Sequence, residues 1–276
     1  QASRWLEIPI ISFSFQPSDF AKLALVVYIA RALTQKQEYI NSLKEAFLPI
    51  IVPVVIICGL IAPANLSTAL VLFGTCLALM FVGRVNPRYI FLLCLLGIVV
   101  FAGLIVIGRY EPELVRVDTW VSRVQDYANN PDGGYQVQQA KIAIARGGVF
   151  GAGPGNSVAR NFLPYSHADF IYAIICEEYG LIGGLLTLAL YVLLFFRTVK
   201  LVTKSPKAFG TFLAIGLSLM LTIQALANIA VSVHLVPATG LTLPMISMGG
   251  TSLVFSAIAI GMILSVSKFI EKIDGT

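Results

Sequence analysis

Long apolar segments separated by short polar ones run along most of the chain. Seven of these segments are each close to the roughly 20 residues that a helix needs to cross the hydrocarbon core of a bilayer. The pattern therefore predicts an all-α polytopic membrane protein with about seven transmembrane helices. The predicted helices cover residues 18–34, 47–63, 67–83, 89–108, 170–196, 209–233 and 245–267.

Composition and charge agree with a membrane protein and predict its orientation. The 276 residues are 57% hydrophobic and 12% charged, with a mean hydropathy of +0.85, which is more apolar surface than one soluble domain can bury. The net charge is +5, and most Lys and Arg lie in segments 31–47, 83–88, 196–209 and 267–276. Such loops are usually cytoplasmic, so segment 109–169 is predicted outside the cell and no nucleic-acid partner is implied.

All four cysteines lie in apolar segments. They are read as small buried hydrophobic residues, and the sequence predicts neither a metal site nor a disulfide from them.

A charged pair lies at the start of the first predicted helix. Asp19 and Lys22 are three residues apart, which places them on one helix face. Ionisable groups at membrane depth are costly and usually functional. Two interpretations stay open: an ion pair near the headgroups with Lys22 snorkelling outward, or a polar cavity wall that faces a charged substrate.

Asp169 lies where the long polar segment becomes an apolar helix. An aspartate there is either a helix N-cap or an acid that does chemistry. Glu177 is eight residues further on, about 12 Å along a helix, which is too far for a paired-carboxylate site. Asp169 would therefore act singly. Glu177 and Glu178 are predicted to hold helices together or to lie where the helix is wetted.

The long segment contains a second polar signal. Its stretch QVQQAKIAIARGG predicts a short amphipathic helix that ends at glycine, and GAGPGNS after it can expose backbone N–H groups to an anion. Lys141, Arg146 and Arg160 flank these glycines, a combination that suits a phosphate-bearing lipid. His167 either tunes the acid or is a plain surface histidine.

A broken apolar segment precedes the last predicted helix. It reads NIAVSVHLVPATGLTLPMISMGGTSL and carries two prolines, several glycines and many hydroxyls. Such a segment in a membrane protein usually lines a cavity. The alternative is a loop and helix start with close packing at Gly249 and Gly250.

Four motifs extend from one end of the chain to the other. They read RWLEIPIISFSFQPSDFAKLAL, GYQVQQAKIAIARGGVFGAGPGNS, LPYSHADFIYAIICEEYGLIGG and LVPATGLTLPMISMGGTSL. In sequence and order they resemble the SEDS family of shape, elongation, division and sporulation proteins, which includes FtsW and RodA. GAGPGNS is more similar to FtsW, the division enzyme.

The resemblance implies a ten-helix enzyme of the bacterial cytoplasmic (inner) membrane that polymerises lipid II into peptidoglycan strands on the extracytoplasmic side. Residues 1–276 would be a single SEDS membrane domain without the family's first three helices, and residues 109–169 its large extracytoplasmic loop. The implied partners are a class B penicillin-binding protein, which provides the transpeptidase, and other divisome proteins.

The resemblance also implies the site residues. Asp169 matches the family's essential catalytic acid and would act as general base in an inverting transfer from a polyprenyl-pyrophosphate donor. The loop cations, or a divalent cation (Mg²⁺ or Mn²⁺), would stabilise the leaving group. The residues predicted to bind substrate are Lys22, Asp19, Arg4, Gln136, Gln139, Lys141, Arg146, Gly153, Asn156, Ser157, Arg160, His167, Asn228, Thr239, Ser247 and Ser252.

Two positions depart from the family pattern. The chain has Asp19 where relatives often have glutamate, and Asn65 where many have aspartate, which puts any cation role of that position in doubt. The alternatives to a division-type polymerase are a RodA-type elongation enzyme, a transporter that flips lipid-linked precursors, and a non-enzymatic scaffold for cell-wall synthases.

Overall fold

The computed structural model describes residues 6–8, 13–40, 42–110, 115, 117–130, 132–163, 166–203, 205 and 207–274. Arg4, one of the predicted substrate-binding residues, lies outside them. The described chain is mainly helical, as predicted. Its α-helices are α1 (Pro17–Gln35), α2 (Leu48–Ile61), α3 (Leu66–Val82), α4 (Pro87–Tyr110), α5 (Val117–Asn129), α6 (Tyr135–Gly147), α7 (Ile171–Val202), α8 (Ala208–Ser232) and α9 (Thr251–Asp274).

Shorter elements complete the description. A 3-10 turn (Gln37–Tyr39) and a π-helical turn (Leu43–Phe47) connect α1 to α2, and another 3-10 turn (Ala159–Asn161) precedes α7. The all-α prediction is confirmed. In addition, two three-residue strands, β1 (Leu6–Ile8) and β2 (Phe13–Phe15), form an antiparallel pair.

Each of the seven predicted spans contains a helix. Among the described residues, four helices are long and apolar enough to cross a membrane, namely α4, α7, α8 and α9 over Thr251–Ile270, whereas α2 and α3 are shorter apolar helices. Most residues in the apolar stretch of α4 are exposed, as expected for a helix that faces lipid. Most residues in that of α8 are buried, as expected for a helix that faces protein. The chain is therefore a multi-pass membrane protein.

Three details of the helix prediction were wrong. The last helix begins at Thr251 and not at residue 245, because Met245 and Gly250 both have positive φ angles, 65° and 51°. α5 lies in a segment for which no helix was predicted. α7 is interrupted at Gly180, whose φ of 69° and ψ of −166° are not helical.

The chain divides into two compact units. The first comprises Gln1–Val117, Phe195–Met220 and Val254–Thr276, and the second comprises Asp118–Leu194 and Leu221–Leu253. The predicted single domain over 1–276 stays a prediction.

Close helix packing forms the core of the first unit. α1 buries Leu25, Val26 and Ile29, and α3 buries Leu79. Gly216 in α8 lies so close that an added Cβ would be 2.7 Å from Val26 and 2.8 Å from Leu79. Small residues permit such approaches between membrane helices.

The predicted charged pair also belongs to the first unit. Lys22 Nζ lies 2.8 Å from Asp19 Oδ1, and both side chains are less than one-tenth exposed. Pairing of the two residues is therefore confirmed. Lys22 is buried within the protein, which does not fit the interpretation of a side chain that snorkels outward to the headgroups. Removing either partner would take one charge from a buried pair.

The second unit packs α6 against the first part of α7 and the last turns of α8. Its core contains Val137 and Ala140 of α6, Phe170 and Ala173 around the start of α7, and Val231 of α8. α6 confirms the predicted amphipathic helix, since it ends at Gly147 and is followed by Gly148 with a φ of 54°.

Asn65 caps α3. Its Oδ1 accepts a hydrogen bond of 3.3 Å from the amide of Thr68, the arrangement expected of a residue before the first helical turn. The neutral side chain in place of the family's usual acid thus keeps a structural role.

We expect Asn65→Ala to lower the free energy of unfolding by about 1 kcal/mol, the usual cost of losing an N-cap. For a chain of this size, that corresponds to a fall of about 2–4 °C in Tm, measurable by circular dichroism in detergent. Asn65→Ser keeps an acceptor oxygen and is the control. Equal melting of the alanine variant and the wild type would contradict the capping role.

Candidate active site

Asp169 lies in the turn 166–170 that precedes α7. α7 begins at Ile171, and the carbonyl of Phe170 accepts hydrogen bonds from the amides of Ala173 and Ile174 at 3.0 and 3.4 Å. Phe170 therefore occupies the N-cap position, and Asp169 lies one residue outside it. The side chain of Asp169 is partly buried. A carboxylate in this place is held near a helix start while remaining accessible.

The backbone of this turn is held at three successive carbonyls, those of residues 167–169. The amide of Met248 donates to the first at 2.9 Å. The hydroxyl of Ser247 donates to the second at 2.6 Å, and the side-chain amide of Asn228 donates to the third at 2.8 Å. The position of Asp169 is therefore fixed by α8 and by the loop that follows it.

The side chains that hold the turn are themselves anchored. Asn228 is 1% exposed and also donates to the carbonyl of Leu241 at 2.6 Å. Ser247 is 2% exposed and accepts from the amide of Leu243 at 2.7 Å. Both were predicted to bind substrate. In the structure they support the backbone beside Asp169, and direct substrate contact by them stays a prediction.

The Asp169 carboxylate lies beside the broken segment. A Cβ added to Gly240 would be 3.8 Å from Asp169 Oδ2. Residues 235–250 contain no regular helix or strand, which confirms a broken segment before α9. Thr239 in this loop and Ser252 at the start of α9 are partly buried, and the Ser252 hydroxyl lies 2.9 Å from that of Thr242.

Arg123 of α5 is a cation that sequence reasoning missed. It is partly buried. Burial lowers the pKa of its guanidinium, and the negative charge of Asp169 acts in the opposite direction. The charge of Asp169 therefore favours the protonated form of Arg123. The apolar positions 117, 121 and 124 have helical spacing, which was the signal available for α5.

The break in α7 is filled by the backbone of the glycine-rich loop. The amides of Ala152 and Gly153 donate to the carbonyls of residues 177 and 178 at 2.9 and 3.0 Å. In return, the amides of Leu181 and Ile182 donate to the carbonyls of residues 148 and 149 at 2.9 and 3.4 Å. These bonds satisfy groups that a broken helix leaves unpaired.

Glycine is required for this contact at both backbones. A Cβ on Gly151 would lie 2.2 Å from the carbonyl oxygen of Glu178, and a Cβ on Gly180 would lie 2.2 Å from that of Val149. Both residues also have positive φ angles, 83° and 69°, which side-chain-bearing residues rarely adopt.

A buried side chain, that of Glu177, is bound at the end of the predicted anion-binding loop GAGPGNS and by the residues that follow it. Glu177 is 1% exposed and accepts from the Ser157 hydroxyl and from the amides of Val158 and Ala159, both at 3.1 Å. The amides of 151–153 and 156 donate to backbone carbonyls. The amides of residues 151–153 and 156 are thus used within the protein, and binding of a substrate anion by this loop stays a prediction.

The three predicted loop cations have different environments. Lys141 Nζ lies 3.6 Å from Asp132 Oδ1 and is 38% exposed along its side chain. Arg146 Nε lies 3.9 Å from Glu177 Oε1, and its side chain is 54% exposed. Arg160 is exposed. All three cations thus keep exposed surface from which they can meet a phosphate.

The other predicted residues of the second unit differ in exposure. Gln136, Gln139 and Gly153 are partly buried, whereas Asn156 and His167 are exposed. Exposure of His167 agrees with its interpretation as a surface histidine.

Comparison with known proteins places the chain in a family. The model of the FtsW/RodA/SpoVE family, described as "Cell cycle protein", matches residues 1–272. The chain belongs to this family. It is the SEDS family whose motifs the sequence resembles.

Named relatives of the SEDS chain cover nearly all of it. Stage V sporulation protein E of Bacillus subtilis (strain 168) is 36% identical over 268 residues, which are 95% of this chain and 71% of that protein. The probable peptidoglycan glycosyltransferase FtsW of Coxiella burnetii is 36% identical over 274 residues, or 98% of this chain and 72% of that protein.

Solved structures show the same fold. A chain from the structure called "Structural coordination of polymerization and crosslinking by a peptidoglycan synthase complex" has a TM-score of 0.70 at 26% identity, covering 98% of this chain and 74% of that chain. RodA of Thermus thermophilus has a TM-score of 0.61 at 26% identity, covering 97% and 69%.

The described part of this SEDS chain contains no group of three or more His, Cys, Asp or Glu residues that could hold a metal ion. Mg²⁺ is often held by one or two carboxylates together with the phosphates of a substrate, and Asp169 is an accessible carboxylate of this kind. The divalent cation therefore stays a prediction.

We expect Gly180→Ala to destabilise the protein by about 3 kcal/mol or more, the range of strongly destabilising substitutions, because the new methyl group meets backbone. Gly155→Ala is the matched control, since Gly155 also has a positive φ, 77°, but open space around it. Gly155→Ala should lower the free energy of unfolding by only about 1–2 kcal/mol, the cost of placing a side chain in the left-handed region. Equal losses in Tm for both variants would contradict the proposed tight contact.

Proposed function

We propose that this chain is a peptidoglycan glycosyltransferase that polymerises lipid II during cell division. The observation that carries the proposal is Asp169, a partly buried carboxylate whose backbone is fixed by three hydrogen bonds and whose charge interacts with Arg123. Relatives named FtsW with probable peptidoglycan glycosyltransferase activity support the reaction class.

The reaction is an inverting glycosyl transfer with Asp169 as general base. The 4-hydroxyl of the acceptor sugar attacks the anomeric carbon of the polyprenyl-pyrophosphate donor and forms the new C–O bond. The bond to the pyrophosphate oxygen breaks, and its electron pair leaves with the pyrophosphate. Asp169 takes the proton of the attacking hydroxyl. One carboxylate suffices, because pyrophosphate needs charge stabilisation and no strong acid.

Cations around the acid stabilise the leaving group. Arg146 and Arg160 have exposed side chains, and the negative charge of Asp169 acts on Arg123 against the lowering of its pKa by burial. Arginine presents planar donors that match phosphate oxygens. These residues would neutralise the charge that develops on the pyrophosphate. The polyprenyl tails would remain in the bilayer while the sugars reach the loop.

The proposed location is the bacterial cytoplasmic membrane, with Asp169 on the extracytoplasmic side. This orientation follows from the Lys and Arg residues of segments 31–47, 83–88 and 196–209, which mark the cytoplasmic side. The proposed partners are lipid II, a class B penicillin-binding protein and other divisome proteins. A structural relative that belongs to a peptidoglycan synthase complex supports a cross-linking partner.

We expect Asp169→Asn to lower polymerisation of labelled lipid II by at least about 100-fold, because general-base catalysis contributes 10²–10⁴. The assay uses the full-length protein with its transpeptidase partner, and strand formation is followed on gels. Asp118→Asn, the same change at an exposed residue of α5, is the control and should be active.

An active Asp169→Asn enzyme would remove Asp169 from the mechanism. If the wild type formed no polymer but moved lipid II across vesicles, the transporter alternative would replace the polymerase. If wild type and Asp169→Asn both neither polymerised nor moved lipid II, while cell-wall synthesis in cells remained normal with the variant, the scaffold alternative would hold. Complementation of an elongation defect instead of a division defect would favour the RodA-type role.

We expect Arg123→Gln to lower kcat/KM about tenfold, equivalent to 1.4 kcal/mol, because a charge beside both acid and phosphate is lost. Arg123→Lys should retain most of the activity. Arg109→Gln, which removes an exposed charge from the end of α4, should be close to wild type. Equal effects of the two glutamine substitutions would show that only the general charge of the loop matters.

A further inference from the structure

Glu177 is a buried carboxylate for which the reaction has no direct use. It is 1% exposed and lies in α7, eight residues after Asp169 in the chain. Burying an ionised group is costly unless donors surround it. Here the donors that stabilise the buried carboxylate come from the end of the glycine-rich loop and the residues after it.

Three donors from successive residues converge on this carboxylate. The Ser157 hydroxyl and the Ala159 amide donate to Oε2, and the Val158 amide donates to Oε1 at 3.1 Å. The Arg146 guanidinium adds a partner at 3.9 Å from Oε1. Two oxygen atoms thus receive donors from three consecutive residues and one cation, so Glu177 behaves as an anion bound in a nest.

We propose that Glu177 is a positioning residue, an internal anion that folds the glycine-rich loop so that Arg146 and Arg160 face the phosphates of the donor. This inference rests on the proposed glycosyltransferase function and deepens it. Glu177 touches no substrate in this role. It acts through the glycine-rich loop, which connects Arg146 in the last turn of α6 to Arg160 in the 3-10 turn Ala159–Asn161.

The hydrogen bonds connect Glu177 to the backbone of Arg160 through Ser157. The Ser157 oxygen that donates to Glu177 also accepts from the Arg160 amide at 3.3 Å. The Arg160 carbonyl accepts from the Ser166 hydroxyl at 3.5 Å, and Ser166 is three residues before Asp169. The backbone of Arg160 is therefore tied on both sides, once to the buried anion and once to the turn that carries the acid.

The effect of losing Glu177 should fall on substrate binding. The turn of Asp169 is held separately by Asn228, Ser247 and Met248, and these bonds do not involve Glu177. A loosened glycine-rich loop would misplace Arg146 and Arg160 while Asp169 keeps its position. The expected signature is thus a raised KM with little change in kcat.

Glu177→Gln is the test, and Glu178→Gln is its matched control. Glutamine keeps the size of the side chain but has only one acceptor oxygen, whereas the donors in the wild type bind to both oxygens of the glutamate. We expect KM for lipid II to rise about tenfold, or 1.4 kcal/mol, with kcat within about threefold. Glu178 is the adjacent acid, and the loop contacts it through its backbone carbonyl, so Glu178→Gln should match the wild type.

Amide hydrogen exchange gives a second measurement that does not depend on activity. Exchange in residues 151–163 should be faster in Glu177→Gln than in the wild type, since one of the Val158 and Ala159 amides loses its acceptor. If the wild type proved inactive, the proposed function would fail, whereas this exchange difference would still decide whether Glu177 holds the loop.

Ser157→Ala is a second test, which applies if Glu177→Gln does not fold. It removes one donor only, and it should raise KM in the same direction by a smaller factor. The double variant should show less than the product of the two effects, because both residues act in one network. Unchanged KM and exchange in Glu177→Gln, or a fall in kcat at unchanged KM, would overturn the proposal.

Discussion

The contact between the glycine-rich loop and the break in α7 is the constraint on which the site depends. A membrane helix cannot leave its backbone groups unpaired at an interruption, and here the loop supplies both donors and acceptors to the two helix ends. This exchange works only if the two backbones touch. Gly151 and Gly180 allow that approach, because a side chain on either would overlap a carbonyl of the other segment.

Once the loop lies in the break, the positions of the charged residues follow. Glu177, in the last turn before the break, receives the hydroxyl and amide donors of residues 157–159. Arg146 precedes the glycine-rich loop in the chain, and Arg160 follows it. Just before the start of the same half-helix, Asp169 is held by the backbone bonds of its turn. The first part of α7 thus follows the acid directly and contains the buried acid Glu177 near its end.

The arrangement separates two tasks that a glycosyl transfer needs. A general base must keep its geometry to within a hydrogen bond of the attacking hydroxyl, whereas the leaving pyrophosphate needs positive charge around it. Different hydrogen bonds fix the two parts, which is why substitutions at Asp169 and at Glu177 should have different kinetic signatures. Glu177 also explains why an apolar helix contains an acid that has no place in the reaction.

The sequence by itself determined the class of protein, the approximate helices and the family. The length and apolar character of a segment suffice to predict a membrane helix, because the thickness of the bilayer sets the length that such a helix needs. The motifs around Asp19, Asp169 and the glycine-rich loop then led to the SEDS family, which the family match confirms. Pairing of Asp19 with Lys22 was predictable too, because residues three apart share a helix face.

Tertiary structure alone decided what the polar residues of the outer loop contact. The break at Gly180 was hidden, because a glycine in an apolar run is compatible with an unbroken helix. Glu177 could not be assigned to residues 157–159, about 20 positions earlier in the chain, and the same loop therefore looked free to bind an anion. Arg123 was missed for the same reason, since its relation to Asp169 arises from packing between distant segments. The periodicity of a segment predicts a helix and the face on which each residue lies. Only the folded chain brings together donors and acceptors that are far apart in the sequence.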